Sequence, residues 1–144
     1  MRERLGFCTF TLDRQLFGVD VQRVQEVLRH QPVTRFPWTS PAVQGLLNLR
    51  GHIVTVVDLR PVLGLAPRPV ESTPENIVVR SGGRPVCLWV DEIGEVIEVS
   101  STDFESVPTR QGVAGHEWIR GVYRLEDRML LTLDVPGILR GALA

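Results

Sequence analysis

The sequence predicts an all-β protein, mainly strands with a few short helices, that folds as two packed five-stranded β barrels related by an internal repeat. Short runs of alternating apolar and polar residues follow one another along the 144-residue chain, and this period of two is typical of half-buried strands. Gly- and Pro-rich turn signals separate the runs, and motifs of the first half recur in the second. Strands this short must close into small barrels, because closure buries their apolar face and limits exposed edges.

The first part of the chain alternates strand signals with short turns. Strands are predicted at 7–12 and 16–21, on either side of a tight polar turn. A short helical turn should follow Asp20, and a valine-rich strand should come next at 24–30. The segment 35–43 contains two prolines and is predicted to be a loop.

The stretch "GLLNLRGHIVTVVDLR" is the most apolar part of the chain, yet an Arg-Gly pair interrupts it. We interpret it as strands 45–50 and 52–59 joined by a turn at Arg50-Gly51. Asp58 should cap a short helical turn, because an aspartate side chain accepts hydrogen bonds from backbone N–H groups at a helix start. The Pro-rich segment 66–75 is predicted to be an exposed connection.

The second part of the chain also alternates strand signals with turn signals. Strands at 76–81 and 84–90 flank Gly82-Gly83, a strong hairpin signal because glycine tolerates positive φ. A strand at 94–99 and a polar loop at 100–117 should follow. The chain is predicted to end with a hairpin of strands 118–126 and 128–134 and a short helix at 135–143.

Two motifs recur in the same order in both halves. Residues 18–28 resemble 89–99, since both contain Val-Asp followed by valines around an acidic residue. Residues 48–63 resemble 118–139, since Arg50-Gly51 is echoed by Arg120-Gly121 ahead of an apolar strand and an aspartate. We therefore predict a single domain, 1–144, with a first barrel at 13–75, a second at 76–144, and strand 7–12 crossing between them.

Composition excludes several kinds of function. The formal net charge is −1, whereas broad nucleic-acid binding requires a basic surface. Every Lys/Arg position is arginine, so the chain has neither a Schiff-base lysine nor the lysine of a phosphate-binding P-loop. The N-terminus lacks a signal peptide and no run of 18 apolar residues exists, which predicts a cytoplasmic protein without membrane insertion.

Side chains that could carry catalysis or bind a metal form no familiar constellation. His30, His52 and His116 have no second ligand at a suitable spacing, so we predict no metal site, no cofactor and no catalytic residue. Cys8 and Cys87 lie in apolar runs and are interpreted as buried thiols, with a disulfide as the alternative.

The carboxylates of the second half are spread along predicted strands. Asp91, Glu92, Glu95 and Glu98 are interpreted as a solvated charged face rather than an acid–base pair. A chain with a full core and no catalytic constellation is expected to act through its surfaces.

The stretch at 45–60 resembles the signature of the CheW family, the coupling proteins of bacterial chemotaxis arrays. The resemblance covers nearly the whole chain, because the family's other blocks are similar to "FCTFTLDRQLFGVDVQRVQEVL", "VTRFPWTSPAVQG", "PVCLWVDEIGEVIEV" and "IRGVYRLEDRMLLTLDVPGIL". One departure is Thr55, where the family often has proline. The resemblance implies a non-catalytic adaptor between transmembrane chemoreceptors and a CheA-type histidine kinase, recruited to membrane-associated receptor arrays.

The resemblance also implies a receptor-binding groove. It maps onto Val24, Glu26, Val27, Asn48, Arg50 and Gly51. The cytoplasmic tip of a methyl-accepting chemoreceptor, a helical hairpin, would lie there with an apolar stripe against the groove. On a regular strand, Val24, Glu26 and Leu28 share one face. Because Glu26 and Arg50 are lone charges in apolar runs, we predict that they form an ion pair beside the groove.

The kinase's regulatory domain is assigned to the second barrel. Its candidate contacts are Ile93, Gly94 and Val96, although Ile93 fits the core equally well. Contacts between copies of the chain would complete the rings of the array.

Three alternatives stay open. The chain fits a coupling protein of a related chemosensory pathway, serving pili, gliding, biofilm or development, as well as one serving chemotaxis. An enzyme with an unrecognised cysteine site would require a reactive Cys8 or Cys87. A small-molecule-binding barrel would require an unfilled polar-lined pocket, which the large apolar content does not favour.

Overall fold

The computed structural model describes residues 3–35, 40–106 and 116–143. The predicted loops at 35–43 and 100–117 lie partly outside these residues. The elements before the central connection are β1 Arg4–Leu12, β2 Gln15–Asp20, β3 Val24–Leu28, β4 Thr34–Arg35, β5 Val43–Leu49, β6 His52–Asp58 and α1 Leu59–Val62. Those after it are β7 Glu75–Ser81, β8 Arg84–Val90, β9 Glu92–Ser100, β10 Phe104–Glu105, β11 Ile119–Arg124, β12 Met129–Leu133 and α2 Val135–Ala142. None of the described helices is long and apolar enough to cross a membrane.

The strands form two six-stranded sheets, so the predicted all-β class with two subdomains is confirmed and the strand count of five is too low. The first sheet has the order β3-β7-β8-β6-β5-β4 and the second has the order β10-β11-β12-β2-β1-β9. The repeat is visible in this topology, because each sheet contains one parallel pair at the corresponding place, β6 with β8 and β12 with β2.

The sheets do not follow the predicted division between residues 75 and 76. The first sheet takes all its strands from 24–90, and the second takes its strands from the segments on either side, 4–20 and 92–133. The Pro-rich segment that suggested the division connects α1 to β7 within the first sheet. The chain crosses between sheets elsewhere, at the one-turn 3₁₀ helix Val21–Arg23 and at Asp91.

Two-residue turns make the β5–β6 and β7–β8 hairpins, as predicted. Arg50 and Gly51 have φ of 50° and 87°, and Gly82 and Gly83 have φ of 57° and 81°, which is the left-handed conformation such turns require. The prediction that Arg120-Gly121 repeats the Arg50-Gly51 turn is wrong, because Arg120 and Gly121 lie within strand β11. Gly121 is needed there since a Cβ would overlap the ring of Phe104.

Aspartates start both helices, so the repeat holds at this point. The Asp58 carboxylate accepts a hydrogen bond from the Arg60 backbone N–H at 3.1 Å. The Asp134 carboxylate accepts one from the Gly137 backbone N–H at 3.2 Å. Both helices contribute to the core between the sheets.

Three apolar clusters hold the fold together. The largest lies between the sheets and includes Phe10, Phe17, Leu59, Leu88 and Ile138. A second cluster is formed by the other face of the first sheet, around Leu47, Val54, Val78 and Cys87. The third is formed by the other face of the second sheet, around Phe7, Leu16, Tyr123 and Leu130. Each sheet therefore buries both faces and must curl around its own cluster.

Candidate docking site

The β5–β6 hairpin presents Arg50 at its tip. Asn48 stabilises this turn, because its Oδ1 accepts a hydrogen bond from the Gly51 backbone N–H at 2.8 Å. Gly51 has open space around it, and its positive φ explains the residue type. Asn48 and Gly51 thus set the turn, and the turn sets the direction of the Arg50 side chain.

The ion pair predicted between Glu26 and Arg50 is confirmed. An Arg50 Nη2 hydrogen bond reaches Glu26 Oε2, and it joins the hairpin tip to β3 at the edge of the first sheet. The Glu26 side chain is 22% exposed and the Arg50 side chain 65% exposed. The hydrogen bond from Arg50 is the main cause that lowers the pKa of Glu26. Arg50 therefore keeps most of its surface in solvent while one side of its guanidinium is fixed.

The predicted strand face of Val24, Glu26 and Leu28 is wrong, because β3 contains a bulge. The register shifts between Val24 and Glu26, so that Glu26 pairs with Val78. After the bulge, Glu26 and Leu28 lie on the face of Val78, toward the first sheet's own cluster. Val24 packs instead against the core between the sheets.

The bulge also decides which valine is available for docking. Val24 is half-buried, whereas Val27 is 46% exposed. Val27 pairs with Ile77, on the opposite face from Glu26. The structure therefore brings together Glu26, Asn48, Arg50 and Gly51, and leaves the two valines on the other side of β3.

The residues assigned to the kinase differ in exposure. Ile93 is half-buried and packs against the core between the sheets, and its backbone N–H donates a hydrogen bond to Glu75 Oε1 at 2.7 Å. Gly94 allows close approach, since a Cβ would lie 2.7 Å from Thr9 Oγ1. Val96 is 61% exposed on β9, which is an edge strand of the second sheet.

A buried ion network centred on Asp91 was missed by the sequence reasoning. Arg60 donates two hydrogen bonds to Asp91, from Nε to Oδ1 at 3.0 Å and from Nη2 to Oδ2 at 2.6 Å. Arg68 donates from Nη1 to Asp91 Oδ1 at 2.5 Å and from Nη2 to Asp58 Oδ1 at 3.0 Å. The solvated face predicted for the carboxylates is therefore wrong for Asp91, although Glu92, Glu95 and Glu98 are exposed.

The network keeps its charges although it is largely buried. The side chains of Arg60 and Arg68 are 8% and 9% exposed. Burial raises the pKa of Asp91, but hydrogen bonds from Arg60 and from the Asp13 backbone N–H outweigh it, so the pKa lies below its ordinary value. The Asp91 hydrogen bonds in turn raise the pKa of Arg60. Segment 66–75 is thus not wholly exposed, because Arg68 anchors it.

Both cysteines are free and buried, as predicted. Burial raises the pKa of Cys8, and it raises the pKa of Cys87 to about 12. A reactive thiol needs a lowered pKa and access, so neither cysteine has the properties of a nucleophile. Within 3–35, 40–106 and 116–143, no group of three or more His, Cys, Asp or Glu side chains could hold a metal ion.

Comparison with known proteins agrees with this fold. The family model of the CheW-like domain matches residues 6–143. Chemotaxis protein CheW of Klebsiella aerogenes is 30% identical over 133 residues, covering 92% of this chain and 80% of that protein. Chemotaxis protein CheW of Treponema pallidum is 30% identical over 137 residues, covering 92% and 81%.

A solved structure has the same architecture. The scaffolding protein TtCheW from Thermoanaerobacter tengcongensis superposes with a TM-score of 0.85 at 26% identity, covering 95% of this chain and 93% of that chain. A CheW-like domain over nearly the whole chain, together with the fold of this scaffolding protein, identifies a coupling or scaffold protein of chemotaxis signalling. The chain belongs to the CheW family.

Proposed function

We propose that this protein is a non-catalytic adaptor that couples transmembrane chemoreceptors to a CheA-type histidine kinase. The observation that carries the proposal is the match of the CheW-like domain to residues 6–143, which include both candidate docking surfaces. The adaptor acts in the cytoplasm and is recruited to receptor arrays at the membrane.

The receptor tip is assigned to the hairpin end of the first sheet. Arg50 is exposed there, and its contact with Glu26 restricts the directions in which its guanidinium can donate hydrogen bonds. Ile53, on β6 next to the turn, is 75% exposed and supplies apolar area beside the charge. An amphipathic helix offers the complement, an apolar stripe with polar flanks.

The kinase's regulatory domain is assigned to β9. Val96 exposes an apolar side chain on an edge strand, and such an edge readily accepts another protein surface. Ile93 and Gly94 support this surface indirectly, because Ile93 packs against the core and Gly94 lets β9 lie close to Thr9. Contacts between copies of the chain through the same kind of edge complete the rings.

Co-assembly tests both assignments together. The full chain is mixed with a receptor cytoplasmic fragment and with the regulatory domain of a kinase encoded in the same genome. Arg50→Glu should weaken receptor binding and keep kinase binding, whereas Val96→Glu should do the reverse. A wild-type chain that binds neither partner would overturn the proposal.

The second candidate function uses the same surfaces in another pathway, such as pilus motility, gliding, biofilm formation or development. The CheW-like domain over residues 6–143 is compatible with either kind of pathway. Binding only to a kinase and receptors of such a pathway would select it.

A further inference from the structure

The two crossings between the sheets are built differently. Asp20 and Asp91, which occupy matching places in the sequence repeat, lie at the two points where the chain passes from one sheet to the other. At the first crossing, the Asp20 carboxylate accepts, among the described residues, a single and local hydrogen bond from the Gln22 backbone N–H at 2.9 Å. At the second, Asp91 receives contacts from both sheets.

The contacts of Asp91 connect parts of the chain that belong to opposite sheets. From the side of the first sheet come Arg60, in the helix that follows β6, and Arg68, in the connection to β7. From the second sheet comes the β1–β2 hairpin, whose Asp13 backbone N–H donates to Asp91 Oδ2 at 2.9 Å. Thr11 of the same hairpin accepts a hydrogen bond from the Asp91 backbone N–H at 3.1 Å.

The network restricts the relative orientation of the two sheets, whose contact is otherwise apolar. The core between the sheets opposes their separation, but the hydrophobic effect is not directional, so it tolerates small rotations of one sheet on the other. A guanidinium that donates two hydrogen bonds to one carboxylate fixes an orientation as well as a distance. Arg68 also bridges Asp91 to Asp58, which ties the network to the end of β6.

The network of Asp91, Arg60 and Arg68 is also tightly enclosed. Arg68 Nε is buried without a hydrogen-bond partner in the described part of the chain. Leaving a buried donor unpaired costs free energy, so Arg68 is held inward by its two carboxylate partners rather than by full hydrogen bonding. Opening the network would expose this donor to water, so the hydrogen bonds from Arg68 to Asp91 and Asp58 must offset that gain to keep the network closed.

We propose that Asp91, held by Arg60 and Arg68, is the joint that fixes the angle between the two sheets. The joint is a property of the isolated chain. Its consequence rests on the proposed function, because an adaptor that carries one docking surface on each sheet holds its two partners at the angle which the joint sets.

Distance measurements between spin labels test the joint directly. One pair of labels, at Ile53→Cys and Met129→Cys, spans the two sheets, and a second pair, at Ile53→Cys and Arg80→Cys, lies within the first sheet. All three positions are exposed. The native thiols are buried, and the raised pKa of Cys87 further protects it from labelling.

The expected result is selective. Asp91→Asn keeps the shape but removes the charge, and it should broaden or shift the between-sheet distance distribution while leaving the within-sheet distribution unchanged. Asp20→Asn, the matched variant at the other crossing, should leave both distributions unchanged. An Asp91→Asn chain with the wild-type between-sheet distribution would overturn the proposal, as would equal broadening in Asp20→Asn.

A second variant covers the case in which Asp91→Asn does not fold. Arg68→Gln removes the bridge between Asp91 and Asp58 but leaves Arg60 paired, and it should give a smaller broadening of the same between-sheet distribution. An unchanged distribution in folded Arg68→Gln would then count against the joint. Because no partner is present in these samples, a failed joint and a failed adaptor role are distinguishable.

Discussion

Replacing Arg60 with methionine should destabilise the protein far more than replacing an exposed arginine that is also paired with a carboxylate. Met keeps much of the side-chain volume, but the change removes both hydrogen bonds to Asp91 and the one from Arg60 Nη1 to the Ala66 carbonyl at 2.9 Å. The Arg60 side chain is only 8% exposed, so Asp91 would be left without its main partner in a largely dry site.

The size of the loss in unfolding free energy depends on how many partners Asp91 keeps in the Arg60→Met variant. Removing one partner of a buried ion pair costs about 3–5 kcal/mol. Arg68 and the Asp13 backbone N–H still contact Asp91, so we expect the lower end, about 3 kcal/mol in the free energy of unfolding. For a chain of this length, that loss corresponds to a decrease in Tm of roughly 10 °C.

Urea unfolding of Arg60→Met and Arg4→Met at neutral pH measures the difference. Arg4 pairs with Glu98 at 3.4 Å, but the two side chains are 68% and 65% exposed, so that pair contributes little. If Arg60→Met costs no more than Arg4→Met, the network is not a buried structural contact and our reasoning about it is refuted.

The pH dependence gives an independent check. The pKa of Asp91 is lower in the folded chain than in the unfolded chain. Its stabilisation is therefore complete above the unfolded value of about 3.9 and is lost as the pH falls through the folded-state pKa. The difference between wild type and Arg60→Met should shrink below about pH 4; a constant difference down to acid unfolding would contradict the assignment.

Gly121, the thiols and the cap of α2 allow three more tests. Gly121→Ala should cost about 1–3 kcal/mol in urea unfolding, because the new methyl group overlaps the Phe104 ring; with Phe104→Ala the double variant should cost less than the sum. Cys8 and Cys87 should react with a thiol reagent only after unfolding, and rapid reaction of the native protein would contradict their burial. Asp134→Ala should lower stability by about 1 kcal/mol, and Asp134→Asn should retain most of it; an equal loss in both would argue against capping.

The local parts of the fold were predictable from the sequence because their causes are local. Gly82-Gly83 and Arg50-Gly51 adopt the left-handed conformations that two-residue hairpins need. Asp58 caps the next helix through an atom two residues away. Cys87 is buried as its apolar run predicts, because β8 is covered on both faces.

The non-local parts were not predictable in the same way. Alternation along 24–28 gives the wrong face after the bulge between Val24 and Glu26, which depends on pairing with a distant strand. The joining of the β1–β2 hairpin to the C-terminal strands depends on the parallel pairing of β2 with β12. No local signal in β2 or β12 indicates that these two strands pair with each other.

The Asp91 network shows which signal was overlooked. Asp91 directly follows a buried strand and matches Asp20 in the repeat, so it marks a crossing rather than a solvated face. Arg60 stands two residues after a capping aspartate and is itself buried. Buried arginines require carboxylate partners, but the sequence does not say which of several carboxylates those are.

Whether Arg50 contacts a receptor is tested most directly by receptor binding of an Arg50→Glu variant and of the exchanged pair, Glu26→Arg with Arg50→Glu. Arg124→Glu is the matched control, because Arg124 also forms an exposed ion pair, with Glu105, but on the second sheet. Affinity for a receptor cytoplasmic fragment and the urea midpoint are measured for each chain.

We expect Arg50→Glu to bind the receptor fragment about tenfold or more weakly than the wild type, with a urea midpoint close to that of the wild type, and Arg124→Glu to bind normally. The exchanged pair should remain weak, since it restores the internal contact but presents the wrong charge to the receptor. Wild-type affinity in Arg50→Glu, or full recovery in the exchanged pair, would show that Arg50 only braces the hairpin against β3 and does not contact a receptor.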